Sequence, residues 1–215
     1  MSTIADLETA IKAGDLCEVN QLIASQPELS TAPTSMGVTA LMMALYYGKQ
    51  EIARAIANTR EMNPFEATAL GDVVQVQMAL KRAPVSVDDV STDGFTMLGF
   101  AAFFGHDAIV EILLHSGANP NKKSENSLGV LPLHSALAGD HQSVSRLLIE
   151  HETDINASSG AGWTPLHYAA HNGDVETTEL LLSKGANITA LAEGKTPANL
   201  ATEGGYDDIA ALLSQ

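Results

Sequence analysis

Apolar residues recur along the chain at three- and four-residue spacing, in short stretches that glycine and polar residues separate. This spacing places apolar side chains on one face of an α-helix. Each stretch is too short to bury its apolar face alone, so the pattern predicts short helices that pack against one another. Two clear examples are Ile109, Ile112 and Leu113, and Ile209, Leu212 and Leu213.

The same pattern of residues repeats, with a threonine nine residues before a glycine. This spacing relates Thr39 to Gly48, and four such pairs occur in all: 39/48, 96/105, 164/173 and 196/205. A degenerate repeat has Leu131 in the threonine slot and Asp140 in the glycine slot, and two others, at 14 and 71, lack the Thr-Pro opening. The glycine slots at 14, 48, 71, 105, 140, 173 and 205 are mostly 32 to 35 residues apart. Such a period predicts a repeat solenoid.

Each part of the repeat has a local physical role. A threonine hydroxyl can cap a helix, and proline suits the first helical position because its missing N–H has no partner there. A first helix therefore begins at Thr-Pro, and the glycine slot ends it by permitting a left-handed residue. The next polar residue can open a second helix, at Asp15, Asp72, His106 and Asp174.

Residues 1–215 resemble an ankyrin-repeat protein. Thr164-Pro165-Leu166-His167 matches the family motif in full, and Leu131-Pro132-Leu133-His134 and Thr96-Met97-Leu98-Gly99 match it in part. Residues 65–72 and 94–106 are also similar to a group of small bacterial ankyrin-repeat proteins of unassigned role. The resemblance implies an all-α solenoid of about seven helix-turn-helix repeats. It also implies projecting finger loops and a concave face, lined by the first helices and fingers, that binds other proteins.

The repeats form one predicted domain with an irregularity between the second and third. The step from Gly48 to Gly71 is only 23 residues, so we expect the finger between these repeats to be missing. The resulting gap in the row of fingers would lie beside Tyr46 and Tyr47. The approximate repeats are 1–26, 37–60, 61–83, 94–117, 129–152, 162–185 and 194–215.

Composition narrows the choice of partner. The chain has 11 Lys and Arg against 26 Asp and Glu, a net charge of −15, which disfavours direct binding of nucleic acid or anionic membranes. Basic proteins would be attracted, although the charge is also explained if it only keeps a monomeric repeat array soluble. The N-terminus shows no secretory pattern and no apolar run reaches about 20 residues, so we expect a cytoplasmic protein.

Cys17 is the one cysteine, so the chain can form no internal disulfide and no thiolate metal cluster. We expect its side chain to fill space as a small apolar group in the second helix of the first repeat. No phosphate-binding glycine loop, nucleophile elbow or Cys-His pair is present. These observations predict a protein that is not an enzyme and holds no cofactor or metal.

Aromatic residues mark the predicted contact surface. Tyr46, Tyr47, Phe103 and Phe104 directly precede glycine slots, positions that face the groove in ankyrin stacks, and Trp163 stands on a finger. Large aromatic side chains often anchor protein interfaces, so these five residues are predicted to bind the partner. Three other aromatic residues are explained better as filling between repeats: Phe65, Phe100 and Tyr168.

We interpret the chain as a protein-binding module, a free-standing adaptor or inhibitor. One alternative is a ligand- or metal-dependent enzyme that uses His167 and His171, which lie four residues apart on a predicted helix. Against it, the family resemblance places His134 and His167 in a slot where the ring binds backbone of the adjoining loop. A second alternative is an acidic DNA mimic that blocks a nucleic-acid enzyme, although the carboxylates are scattered rather than in runs.

Overall fold

The computed structural model describes residues 3–82 and 86–214, and within these it contains fourteen α-helices and a short 3-10 helix, Pro27–Ser30. The described residues form no strand, only the isolated bridges Val90–Thr96 and Ala192–Lys195. The helices are α1 (Ile4–Ala13), α2 (Leu16–Ser25), α3 (Ala40–Tyr46), α4 (Gln50–Ala57), α5 (Pro64–Leu70), α6 (Val73–Lys81), α7 (Met97–Phe103), α8 (Asp107–His115), α9 (Pro132–Ala138), α10 (Gln142–Glu150), α11 (Pro165–Asn172), α12 (Val175–Ser183), α13 (Pro197–Gly204) and α14 (Asp207–Leu212).

The helices form seven consecutive pairs that belong to two compact units. The first unit holds α1 to α6, in residues 3–82, together with residues 91–93; the second holds residues 86–90 and α7 to α14, in residues 94–214. In each unit, the first helix of a pair packs against the first helix of the next pair, as α1 does on α3 and α7 on α9. The second helices form a parallel layer, in which α2 contacts α4 and α8 contacts α10.

Polar caps start the helices where the sequence predicts them. The hydroxyls of Thr39, Thr96 and Thr196 accept hydrogen bonds from the third backbone N–H of α3, α7 and α13, and the carboxylates of Asp15, Asp72 and Asp174 do the same for second helices. The third pair lacks Thr-Pro, as the sequence shows, but it has an equivalent opening. Asn63 caps α5 and Pro64 takes its first position.

The glycine slot is a conformational requirement. Its residues have positive φ in every pair, including the degenerate fifth, where Asp140 adopts φ 56°. Glu152 also has φ 56°, at the end of the fifth second helix where Gly117 and Gly185 stand in its neighbours. Non-glycine residues are strained in this region, so these two positions hold a conformation that the stacked repeats impose.

First helices are buried around most of their circumference, whereas second helices bury one stripe. Six consecutive residues of α3, Ala40 to Leu45, are buried because α3 contacts both neighbouring first helices and its own second helix. In contrast, α8 buries only Ile109, Val110 and Leu113. Cys17 lies on the exposed side of α2, so the expectation that it fills apolar space is wrong. Its sulfur instead accepts a long contact, 3.8 Å, from Gln21 Nε2.

The connections between pairs differ in length. Only residues 58–63 join α4 to α5, whereas residues 26–39, 116–131, 151–164 and 184–196 form long fingers elsewhere. The repeat spacing also predicts a finger from about Ala83 to Phe95, and the first residues of that finger lie outside the described part of the chain. Among the residues that the structure covers, no helix combines the length and apolar character needed to cross a bilayer.

Candidate partner-binding site

The aromatic pairs at the ends of α3 and α7 present one ring to solvent and turn the other inward. Tyr47 is 44% exposed and Phe103 is 39% exposed, while Tyr46 and Phe104 are half-buried. Each pair precedes a left-handed glycine, Gly48 or Gly105, which ends the helix and leaves the preceding ring at its edge. The first unit and the second unit therefore each carry one exposed aromatic anchor at the end of a first helix, although Tyr47 directly precedes its glycine and Phe103 stands one residue earlier.

Tyr46 is tied to the rest of the first unit. Its hydroxyl donates a 2.5 Å hydrogen bond to Asp93 Oδ2, and Ser91 Oγ donates to the other oxygen of that carboxylate. Burial, and then the hydrogen bond and charge of Asp93, raise the pKa of the Tyr46 phenol well above its ordinary value. Residues 91–93 therefore lie against Tyr46, where the sequence suggested an open gap.

Tyr47 differs from its neighbour in being accessible. Its ring has no aromatic partner among the described contacts, and the Lys12 ammonium lies 5.8 Å from the ring centroid. A cation at this distance is attracted to the ring face. The Tyr47 ring therefore attracts a positively charged group while much of the side chain stays exposed.

Phe103 and Phe104 belong to an aromatic cluster in the second unit. Phe104 stacks at 6.5 Å on the buried Phe100, which itself lies 5.4 Å from Phe95. Phe103 meets Phe104 edge-on at 5.1 Å. Phe104 thus supports the cluster, and Phe103 is the member presented to solvent. Phe100 fills space between elements, as the sequence suggested.

Trp163 is half-buried at the end of a finger and packs on the helix that follows. Its ring centroid lies 5.1 Å from Tyr168 and 5.4 Å from His171, with His167 at 6.1 Å. The Trp163 ring therefore lies against three neighbouring rings, which together form one aromatic cluster. Trp163 contributes one face of that cluster.

The two buried histidines connect the first helices α9 and α11 to the fingers that follow them. In His134, Nδ1 accepts from the Leu131 backbone N–H at 2.9 Å and Nε2 donates to the Ala157 carbonyl at 3.0 Å. His167 repeats the arrangement, with Thr164 N–H on Nδ1 and the Lys195 carbonyl on Nε2. Both contacts suit the neutral ring protonated on Nε2. Burial lowers the pKa of His134 to about 4 and also lowers the pKa of His167.

These contacts bear on the alternative metal site. Both ring nitrogens of His167 are engaged with backbone groups, so coordinating a metal would break one of these bonds. His171 is exposed and faces Trp163 edge-on. Within residues 3–82 and 86–214, no three His, Cys, Asp or Glu side chains come together as a metal site would require.

In the first unit, carboxylates make the contacts that histidines make in the second. Glu8 accepts from the Ser35 N–H at 2.5 Å and from its hydroxyl at 2.8 Å, which anchors the finger between α2 and α3. Those bonds, led by that from the Ser35 amide, lower the pKa of Glu8 despite a smaller opposing effect of burial. Finger positions are therefore set by buried polar groups in both units.

Glu66 occupies the position of His134 and His167, third in its helix. It is fully buried and accepts from the Asn63 N–H at 3.0 Å, the Thr39 hydroxyl at 2.5 Å and two Arg60 nitrogens at 2.7 and 2.5 Å. Burial raises the pKa of Glu66, but the hydrogen bonds from Arg60, Thr39 and Asn63 together outweigh it, so the pKa lies below its ordinary value. Arg60 also donates to the Ser30 carbonyl, and the short 58–63 connection is thereby fastened.

A ladder of Asp and Asn side-chain oxygens that accept from backbone N–H groups joins the fingers of the second unit at their bases. Asp88 accepts from the Asn119 N–H, Asn121 from the Asp154 N–H, and Asn156 from the Asn187 N–H. Sequence reasoning missed this ladder, although residues 117–121 and 185–189 share a Gly-Ala-Asn opening. The exposed side chains Leu128 and Leu191 stand on these fingers and were also missed.

Charge is divided unevenly between the units. The first carries six basic and ten acidic residues, a balance of −4, and the second carries five basic and sixteen acidic residues, a balance of −11. In the second unit, ion pairs with Glu125, Glu176 and Glu203 engage Lys122, Arg146 and Lys195. Lys123, at the tip of the longest finger, donates to the Ser158 carbonyl at 2.9 Å. Uncompensated negative charge therefore dominates the second unit.

Helix pairs that stack through their first helices, capped by Thr and ended by a left-handed residue, define a helical repeat protein. The family profile described as "Ankyrin repeats (3 copies)" matches residues 7–124, 65–159, 98–192 and 158–215. The chain belongs to the ankyrin-repeat family, and the fold class expected from the sequence is confirmed. Ankyrin repeats are typically protein–protein interaction modules.

Similar proteins carry the same repeats in longer chains. The chain is 32% identical over 149 residues to human SH3 and multiple ankyrin repeat domains protein 2, and the aligned region covers 68% of this chain and 8% of that protein. It is 34% identical over 153 residues to a putative ankyrin repeat protein of fowlpox virus, and this alignment covers 71% of this chain and 35% of the relative. Bovine ankyrin repeat and SOCS box protein 3 is 33% identical over 136 residues, which amount to 61% of this chain and 26% of the bovine protein. The match thus spans about a third or less of these relatives.

Proposed function

We propose that this chain is a protein-binding module that acts as an adaptor or inhibitor and takes a basic protein partner. Its contact residues are Tyr46 and Tyr47 in the first unit and Phe103, Phe104 and Trp163 in the second. The observation that carries the proposal is the exposure of Tyr47 and Phe103, each in the aromatic pair at the end of a first helix. An aromatic side chain that leaves water on binding contributes strongly to affinity, and such residues dominate protein interfaces.

The five residues have different roles in this proposal. Tyr47 and Phe103 anchor the partner, because they are the accessible members of their pairs. Tyr46 and Phe104 position them, since one is held by Asp93 and the other stacks on Phe100. Trp163 supplies the edge of the surface in the second unit.

The charge of the second unit supports a basic partner. A balance of −11 in that unit attracts positively charged proteins over long range and speeds their association, in a manner that salt weakens. The Tyr47 ring favours the same choice, because a partner's Arg or Lys can replace Lys12 over the ring.

The test is crosslinked affinity capture with the purified chain, comparing the wild type with the Tyr47→Ala, Phe103→Ala double variant. We expect the double variant to retain its helical circular dichroism and to lose at least about tenfold in capture of its partner, the scale of a lost interface anchor. Val175→Ala is the matched control, because Val175 is comparably exposed but lies on the second helix α12. It should capture normally.

Two outcomes overturn the proposal. If the double variant captures as much partner as the wild type, the aromatic residues are not the contact site. If the captured protein is a nucleic-acid enzyme that DNA displaces from the chain, the protein is a DNA mimic rather than an adaptor. Raising the salt concentration should weaken capture of a basic partner steeply, and an unchanged yield would contradict the charge argument.

A further inference from the structure

The short connection between α4 and α5 leaves a second surface, on the side of the first unit formed by second helices. α2 packs directly against α4, whereas an open cavity of about 470 Å³ lies between the end of α4 and the start of α6. The cavity is lined by the end of α4, the connection and the turn into α6, with Arg54, Ala57, Met62, Leu70, Asp72 and Gln75 among its residues.

The helix beside this cavity has an uncovered apolar face. Val74 is 63% exposed and Met78 is 40% exposed, and because they are four residues apart they lie next to each other on the surface of α6. Only Val76 of α6 is buried. Single exposed apolar residues are common on protein surfaces, whereas contiguous apolar surface marks interaction sites. This pair adjoins the cavity through Gln75, which lies between Val74 and Met78 in α6 and lines the cavity.

The local charge differs from that of the whole chain. Residues 49–82 contain five basic and four acidic residues, within a protein of net charge −15. Glu66 pairs with Arg60, Glu61 pairs with Arg82, and the Asp72 carboxylate caps α6 by accepting from the Gln75 N–H. Arg54, exposed on the cavity wall, makes no ion pair in the described part of the chain. The cavity therefore offers an available cation.

We propose that Arg54, the cavity, Val74 and Met78 form a docking surface, here called the α4–α6 surface, for an acidic amphipathic segment of a protein partner. Apolar side chains of that segment would cover Val74 and Met78 and enter the cavity, and a carboxylate would pair with Arg54. This surface is separate from the aromatic contact residues and takes the opposite charge. It goes beyond the proposed function and stands or falls independently of it.

The test uses two synthetic helical peptides of about 16 residues, long enough for four helical turns. One carries Leu on one face and Glu on the other, and in its counterpart Lys replaces Glu. Titrations into the full chain, labelled at Met and Val methyl groups, measure affinity and location together. We expect the Glu peptide to shift the Met78 and Val74 methyl signals, although the net charge of the chain opposes its approach.

Arg54→Glu should weaken binding of the Glu peptide at least about tenfold, because it replaces an attraction by a repulsion. Lys184→Glu is the matched control, since it makes the same change in charge at an exposed residue of the second unit, and it should leave the affinity unchanged.

Three results would overturn the inference: equal loss of affinity in both charge variants, shifts of Met78 by the Lys peptide at equal or lower concentration, or no shift of Met78 by either peptide. A dimer that light scattering detects and that Met78→Lys abolishes would assign the surface to a second molecule of the chain instead. None of these results alters the expectation for Tyr47 and Phe103.

Discussion

Replacing Glu66 by Gln should be among the most damaging single substitutions in the first unit. The change keeps the size of the side chain but removes its charge, and it turns an amide NH₂ or a neutral oxygen toward Arg60. The Arg60 side chain is only 14% exposed, so its guanidinium would lose its counterion in a largely dry environment. Removing one charged partner of a buried ion pair costs about 3–5 kcal/mol of stability. We expect a loss near the lower end of this range, because Thr39 and Asn63 can still donate to the amide oxygen of Gln.

The double variant Arg60→Met, Glu66→Gln separates this explanation from simple loss of packing. Removing the guanidinium removes the uncompensated charge, so the double variant should recover at least about 1 kcal/mol relative to Glu66→Gln alone, an interaction energy typical of residues in one network. Urea denaturation gives the free energies of unfolding. Hydrogen exchange of the α3 and α5 amides shows whether the loss of stability lies in the first unit. Trp163 fluorescence cannot show this, because Trp163 belongs to the second unit.

The pH dependence gives an independent check. The pKa of Glu66 is lower in the folded state than its ordinary value of 4.5, so the unfolded chain binds this proton at higher pH than the folded chain does. The stability that the carboxylate contributes is therefore present above about pH 4.5 and is lost as pH falls through the folded pKa. The difference between wild type and Glu66→Gln should be constant near neutrality and shrink in acid. A difference below about 1 kcal/mol near neutrality, or one that persists unchanged in acid, would refute the reasoning.

Three further predictions concern single positions. Gly204→Ala should destabilise the chain although alanine favours helices, because the added Cβ would lie 2.5 Å from Tyr206 Cε2. In a Tyr206→Ala background the same change should be stabilising, and thermal melts of the wild type, the two single variants and the double variant test this. Glu152→Gly should raise the free energy of unfolding by about 1 kcal/mol by relieving a positive φ, whereas Gly185→Ala should lower it, and equal effects in urea titrations would contradict this. Burial holds the pKa of His134 at about 4, so the unfolded chain takes up a proton that the folded chain does not, and the second unit should lose stability as pH falls from about 6.5 to 4. His134→Gln should lose less stability over this range, as measured by Trp163 fluorescence in urea.

The repeat itself was readable from the sequence because its signals are local. A Thr hydroxyl reaches the third backbone N–H of its own helix, and a left-handed residue is needed wherever a helix ends and the next begins. The Asn63-Pro64 opening is equally local. It was missed because Asn63 stands eight residues before Gly71, whereas the threonines of the repeat stand nine residues before their glycines. The family's histidine slot also predicted the backbone contacts of His134 and His167.

The candidate site was less accessible to sequence reasoning. Adjacent aromatic residues before a glycine mark the end of a first helix, but the pattern does not say which ring is covered. Tyr46 is held by Asp93, 47 residues away, and Phe104 is covered by the Phe100 ring. Glu66 stands where other repeats have histidine, and its burial likewise depends on partners outside its own helix. Arg60 reaches it from the short 58–63 connection, and Thr39 reaches it from the preceding helix pair.

Sequence alone therefore determined the helix pairs, their caps, the left-handed turns and the family, because each rests on hydrogen bonds and steric limits within a few residues. The tertiary structure decided which aromatic rings are exposed, how buried carboxylates and histidines hold the fingers, and where the cavity between α4 and α6 opens. These features depend on which side chains other repeats bring into contact, and burial and charge compensation are properties of that packing rather than of any one segment.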